Sequence, residues 1–344
     1  MTNPRSLAYD GFVKLTLAEL RKRVQDEHDA YVLLEELRWH GTPVCPHCGH
    51  NKAYFLNPKG GTRGTGRPKP DGKRTQSVRR VWKCARCRKQ FSVLTGTIFH
   101  GTKVSLVTWL TVMVQMCSAK NGISAREVER MHEVTPETAW YMLHRLREAM
   151  KREPLAGLLT GTIVADETFI GGKPGNRHRQ GIRRRPTGKH ATDHIPDRKV
   201  PVLTLVNKQT GEVRSRVVPD VTKANLRSAI SEQVNMAESH LHSDGWAGYR
   251  ELGREFISHE WVDHTSYEYV RGGVSTNQVE NYFSQLKRSI DGTHHHVSRE
   301  HLHRYLAEFD FRYSTCKLSD SARMEQMIDQ AGGRRLSYEP LTER

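Results

Sequence analysis

The chain lacks a long apolar run. The longest, VSLVTWLTVMVQMC at residues 104–117, is 14 residues with threonines inside it, short of the roughly 20 that a membrane span requires. The first residues, MTNPRSLAYDGF, do not have the charged-then-apolar order of a secretory signal. Cysteine is scarce: six in 344 residues, four of them in two Cys-x-x-Cys pairs. That usage fits thiolate ligands in a reducing compartment better than disulfides, and the expectation is a soluble, cytoplasmic protein. Acid is in short supply as well, 38 Asp and Glu against 54 Lys and Arg for a net charge of +16. The deficit is concentrated. Lys59 to Lys89 holds twelve basic residues against Asp71 alone, and Lys173 to Lys199 holds nine against Asp193 and Asp197. One such run is ordinarily a solvated loop. Two in one strongly basic chain point to a polyanionic partner.

A chain of 344 residues exceeds one average domain and is expected to form two or three units. Residues 11 to 40 read as helical: Thr16 is placed to cap LAELRKRV, and DEHDAYVLLEELRWHG stops at Gly41. Next come CPHCGH, with Cys45 and Cys48, and KCARCRKQFSV, with Cys84 and Cys87, separated by 35 residues. Each pair is the knuckle of a zinc ribbon, and two knuckles complete four sulfur ligands around a structural Zn²⁺. The long gap has a Gly/Pro/basic middle that extends a hairpin without disturbing its ends. His47 and His50 are possible substitutes, but four sulfurs leave no vacancy. Cys117 and Cys316 are isolated and read as small buried apolar residues. Beyond Thr102 the pattern is helical. SAREVERMHEV opens on Ser124, and TPETAWYMLHRLREAM opens on Thr135 with Pro136 behind it. Two short helices with a turn at HEVT form either a helix-turn-helix or an ordinary helical hairpin; the neighbouring ribbon and the charge favour DNA contact.

After Leu158 the period changes to that of strands. GTIVADETFIGG, then VPVLTLVNKQTGEVRSRVV with a turn at KQTGE, then SHLHSDGWAGY alternate with helical stretches, FISHEWVDH offers one more strand, and Thr276 to Arg312 is mainly helix. This order implies a mixed α/β sheet flanked by helices. Asp166 and Asp244 stand at matching places, each expected at the end of a strand, and Glu280 begins the helix of TNQVENYFSQLKR, with 35 residues between it and Asp244. Carboxylates placed so can converge on a pair of Mg²⁺ ions, which hold the attacking and leaving oxygens of a phosphoryl displacement. Singly, each acid has a plainer explanation: a strand-end Asp caps turns, and a Glu on an amphipathic helix is usually solvated. Glu167 alternates away from Asp166 and is expected to face outward or to support the site from behind.

The ordered motifs CPHCG, CARCRKQFSVLTGTIFHGTKVSLVTWL, TAWYMLHRLREAM, VADETFIGGK, LHSDGWAGY, NQVENYFSQLKR and HLHRYLAEFDFRY span roughly residues 30 to 315. In them the chain resembles a DDE transposase of bacterial insertion sequences, of the ISXO-type branch. The resemblance implies a zinc ribbon and helix-turn-helix ahead of an RNase H-like catalytic domain. It places the family's acids on Asp166, Asp244 and Glu280, with Mg²⁺ or Mn²⁺ as their cofactor, and its lysine on Lys287. It also implies a recombinase that binds double-stranded DNA at its element's ends, cuts there and joins 3′-hydroxyls to target DNA, as a homo-oligomer associated with the nucleoid. Ser275 stands where relatives often carry His, which removes the ground for a histidine role there, and Phe283 replaces a frequent Trp as a packing exchange. Thr293 to His296, with His294, His295 and His296 in a row, could bind metal, but beside two basic residues a phosphate-contact loop is the favoured reading. The expected division is a helical lead-in at 1–40, the ribbon with its basic loop at 41–100, the helix-turn-helix region at 101–155, the catalytic domain at 156–315 and a tail at 316–344. Two rival readings are a zinc-ribbon regulator without catalysis and a nuclease that cuts but does not join.

Overall fold

The computed structural model describes residues 15–56, 63–64, 76–77, 80–152, 157–171, 199–262 and 270–338. Most of the basic stretch at 173–199 and the middle of the loop between the two cysteine knuckles lie outside them. The chain divides into two compact units, Met1–Lys151 with Cys316–Arg344, and Arg152–Thr315.

In the first unit, α1 (Leu17–Arg23) starts at Thr16, whose side chain accepts from Glu19 N–H, and α2 (Glu27–Trp39) ends where His40 turns left-handed. The ribbon follows: β1 (Ala53–Phe55), the short pair β2 (Arg63–Gly64) and β3 (Gln76–Ser77), β4 (Trp82–Cys84) and β5 (Gln90–Phe91). β1, β4 and β5 form one antiparallel sheet, with Ala53 opposite Cys84 and Trp82 opposite Phe91. The helix before the ribbon is part of its support. Trp39 meets Trp82 and Phe91 edge-on, at 5.8 and 5.9 Å between ring centroids. The buried Glu35 accepts from Arg80 Nε at 2.9 Å and from Trp82 Nε1 at 2.8 Å. Glu35→Ala should lower the stability of this unit by about 2–3 kcal/mol, because it strands a guanidinium and an indole N–H that have little access to water. Thermal unfolding of the zinc-loaded protein checks this, with Glu35→Gln losing less.

Helices α3 (Leu106–Ser118), α4 (Ala125–His132) and α5 (Pro136–Met150) complete this part of the chain. Ser124 and Glu127 make a reciprocal capping box at α4, and Thr135 with Pro136 starts α5 as expected. The turn between the two helices passes through Glu133 at φ 52°. From Met142 to Arg147 every residue of α5 is buried. Its one exposed residue is Glu137, in the first turn.

The second unit is built on β6 (Leu159–Ile170), β7 (Val200–Asn207), β8 (Val213–Val217), α6 (Lys223–Ser231), β9 (Val234–Asp244), α7 (Ala247–Leu252), β10 (Ser258–Val262), α8 (Asn277–Ser289) and α9 (Arg299–Ser314). The sheet order is β10-β9-β6-β7-β8. β6, β7 and β8 are antiparallel neighbours, whereas β9 runs parallel to both β6 and β10. This is an RNase H-like mixed sheet flanked by helices. β7 is buried along its whole length, as the mainly apolar run VPVLTLVN favours for an inner strand covered on both faces. On one face Val164 and Ile170 pack with Val279, Tyr282 and Phe283 of α8 and with α9; on the other, Ile163 and Ala165 pack with Leu226 of α6 and Tyr249 of α7.

Asp166 does not end its strand. β6 continues to Ile170 because β7 supplies a ladder partner for each residue, Asp166 opposite Thr204 and Ile170 opposite Val200. The stretch after Thr315 holds α10 (Asp320–Gln330), whose Arg323 donates to the carbonyl of Cys117 at 2.5 Å, so it folds with the first unit. Cys117 is buried as expected, but Cys316 is exposed, because it follows the last turn of α9 where the chain leaves the sheet. Among the described residues no helix is long and apolar enough to cross a membrane.

Candidate active site and zinc centre

β6 and β9 pair in parallel with Val164 opposite His242. Two residues further along both strands stand Asp166 and Asp244. Strand alternation puts them on the face of Val164, the face that α8 covers and from which Glu280 is presented. Asp166 is pushed up to about 7, first by burial and then by the like charges of Asp244, Glu167 and Glu280, against one hydrogen bond from the Glu167 N–H at 2.7 Å. The three acids named from the sequence therefore share one electrostatic neighbourhood. Asp244 Oδ1 accepts from Trp246 N–H at 3.1 Å, and Glu280 Oε1 accepts from the Thr276 hydroxyl at 2.8 Å. Lys287 lies two turns beyond Glu280, with Nζ 5.9 Å from the centroid of the Phe283 ring. Its stem leans back along the helix, the direction helical side chains favour.

Glu167 faces the opposite side of the sheet from Asp166, where it is partly buried. Its carboxylate accepts from the hydroxyl of Tyr249, which is fully buried on α7. Burial, then the charge of Asp244, holds Glu167 up to about 7 in spite of that bond. Tyr249 is a residue that sequence reasoning missed. The only signal was its place five residues after Asp244 in DGWAGY, one helical turn past the end of the strand.

The thiols of the two knuckles are brought together. Cys45 Sγ is 3.7 Å from Cys87 Sγ, and Cys48 Sγ is 3.6 Å from Cys84 Sγ. All four sulfurs lie within 4.8 Å of one another. Zinc–sulfur bonds of about 2.3 Å in a tetrahedron put sulfurs about 3.8 Å apart, so the set fits a structural zinc ion. Neither His47 nor His50 belongs to the group. Among the described residues, the other trio as tightly drawn is Asp26, His28 and Asp29. Helix capping accounts for its two acids, since Asp26 accepts from Asp29 N–H at 2.9 Å and Asp29 from Gln25 N–H at 3.0 Å. The three consecutive histidines do not act together: His294 turns inward onto Tyr305, with 4.8 Å between ring centroids, while His295 and His296 are exposed.

Residues 158–314 match the ISXO2-like transposase domain, and residues 25–90 match the transposase zinc-ribbon domain. The second match takes in α2, in keeping with the hold of Glu35 and Trp39 on the ribbon. An uncharacterized protein in transposable element ISH50 of Halobacterium salinarum is 23% identical over 312 residues, covering 90% of this chain and 98% of that one. Among solved structures, a chain of the simian T-cell lymphotropic virus intasome in complex with PP2A regulatory subunit B56 gamma is 15% identical. That alignment covers 56% of this chain and 66% of that chain, at a TM-score of 0.26, too low to build on. The chain thus carries a transposase zinc-ribbon domain followed by an ISXO2-like transposase domain.

Proposed function

We propose that the chain binds the double-stranded DNA ends of its own element, cuts there, and joins the freed 3′-hydroxyls to target DNA. The observation that carries this reading is the placement of Asp166 and Asp244 at one level of two parallel strands, on the face from which Glu280 adds its charge. A cluster of hard oxygen donors whose neighbours are like charges fits Mg²⁺ or Mn²⁺, and Asp166, Asp244 and Glu280 would hold it. Carboxylates of this kind can be shared between two such ions. Such a pair supplies, when bound, charge stabilisation for both the attacking and the leaving oxygen of an in-line displacement at phosphorus.

The remaining roles fall to the chain itself. The rigid pairing of β6 with β7 and β9 fixes the two aspartates, and Thr276 fixes the rotamer of Glu280. Lys287 reaches a phosphate next to the one that reacts. The ribbon and residues 121–150 recognise the terminal repeats, and the protein works as a homo-oligomer on DNA at the nucleoid. Incubation of purified protein with labelled element ends, a target plasmid and Mg²⁺ should give both cut ends and joined products. Cutting without joining would make it a nuclease. Binding with neither would make it a regulator. Lys287→Ala should weaken end binding several-fold at moderate salt, with the salt dependence shallower by about 0.9 in the log–log slope, as the loss of one phosphate contact predicts. A uniform loss at every salt concentration would remove Lys287 from the DNA.

A further inference from the structure

Two residues past Asp244 the chain exposes an indole. Trp246 is 39% exposed, and a lone surface tryptophan is common enough to need no explanation. This one is held in place from three sides. Its backbone N–H donates to Asp244 Oδ1 at 3.1 Å. Its ring stands edge-on to Tyr249, 6.0 Å between centroids at 79°, and Tyr249 is itself fixed by its bond to Glu167. Most tellingly, the ring lies over Gly248. A Cβ added there would fall 1.7 Å from Trp246 Cζ3 and 2.3 Å from Cη2. Glycine inside a helix costs about 1 kcal/mol relative to alanine. Within the six residues of α7 that cost keeps one orientation open to the ring.

We infer that Trp246 is a nucleobase platform at the rim of the site, on which the base of a DNA nucleotide near the scissile phosphate stacks after leaving its own pair. The inference rests on the proposed reaction, because it is the acids that would bring a phosphodiester to Asp244. A base attached to the nucleotide bound there lies within reach of an indole two residues away. Every base offers a π-face, so the platform takes DNA without reading its sequence. It also turns the turn after β9 into a coupling element, in which the main chain that carries the ring also holds the carboxylate of Asp244.

The test uses the full chain without divalent metal, so that no cutting takes place. The first probe is a single-stranded oligonucleotide containing 2-aminopurine, and the second is a set of element-end duplexes with an abasic site moved through the terminal positions. Wild type and Trp246→Phe should quench the 2-aminopurine. Trp246→Ala should not, and it should bind about tenfold more weakly, as the loss of one stacked base predicts. Gly248→Ala, which keeps the indole but displaces it, should behave like Trp246→Ala. At one position of the abasic set, wild type should lose about the same tenfold, and Trp246→Ala should lose nothing further. Equal quenching and affinity for wild type and Trp246→Ala, with no abasic position at which they differ, overturns the inference even if wild type cuts and joins. Conversely, quenching that depends on Trp246 in a protein that neither cuts nor joins leaves the platform standing and removes the proposed reaction.

Discussion

Asp166→Asn and Asp244→Asn should each reduce cleavage and joining by about a thousandfold or more, since the charge that draws in a divalent cation supplies several kcal/mol of the transition-state stabilisation. End binding should stay within a few fold, because asparagine keeps the shape. Glu280→Gln should do the same. Metal-free stability should move the other way. Asp166 is held up to about 7 from an ordinary 3.8, so between those values the folded state binds a proton that the unfolded chain has released. Its stability therefore falls as pH rises through that window. Asparagine carries no such penalty, and Asp166→Asn should gain stability relative to wild type as pH goes from 4 to 8, by at most about 4 kcal/mol. Calorimetry of the metal-free proteins at the two ends of that range, beside the cleavage assay, checks both signs. A variant that cuts at near wild-type rate has lost its place in the site. If Glu280→Gln stays active while Asn277→Ala or Asn281→Ala is dead, the helix must be read one turn differently.

The sequence made the strands, the acids and the cysteine pairs legible because each rests on a local rule: an apolar run for β7, a serine at the start of α4, a fixed spacing within each knuckle. What it left hidden were contacts that depend on how elements meet. The strand carrying Asp166 looked finished at the acid, since nothing in TFIGG says that β7 will pair with it as far as Val200. Alternation leaves Glu167 either facing outward or supporting the site from behind, and cannot name its partner Tyr249, 82 residues away. Glu35 was taken into a helical lead-in of no consequence, and Trp82 and Arg80 reach it across 47 and 45 residues. Cys316 was judged by residue type, which says nothing of a position just past a helix end. The acids could be named from spacing and resemblance, but the tyrosine, threonine and tryptophan that hold their surroundings could not.

Cys84→Ser should release zinc and unfold the ribbon. The sheet is three strands of three, three and two residues, below the length at which strands stand alone, and its aromatic contacts include Trp82 and Phe91 against Trp39 and Phe55 against Trp82. Zinc bound by four thiolates contributes about 10–16 kcal/mol, far more than so small a sheet can supply. Cys84 is the worst sulfur to lose, because it belongs to β4 itself and pairs with Ala53 of β1. Losing the metal there loosens the strand on which Glu35 and Trp39 close. Elemental analysis should find about one zinc per chain in the wild type, as a single four-thiolate site implies, and essentially none in Cys84→Ser. A chelator should reproduce the mutant's loss of structure and of end binding. The Arg152–Thr315 unit has its own two cores, so its unfolding transition should survive in the calorimetric trace. Zinc content unchanged by Cys84→Ser would mean that a different set of ligands holds the ion, and a chelator without effect on end binding would take the ribbon out of DNA recognition.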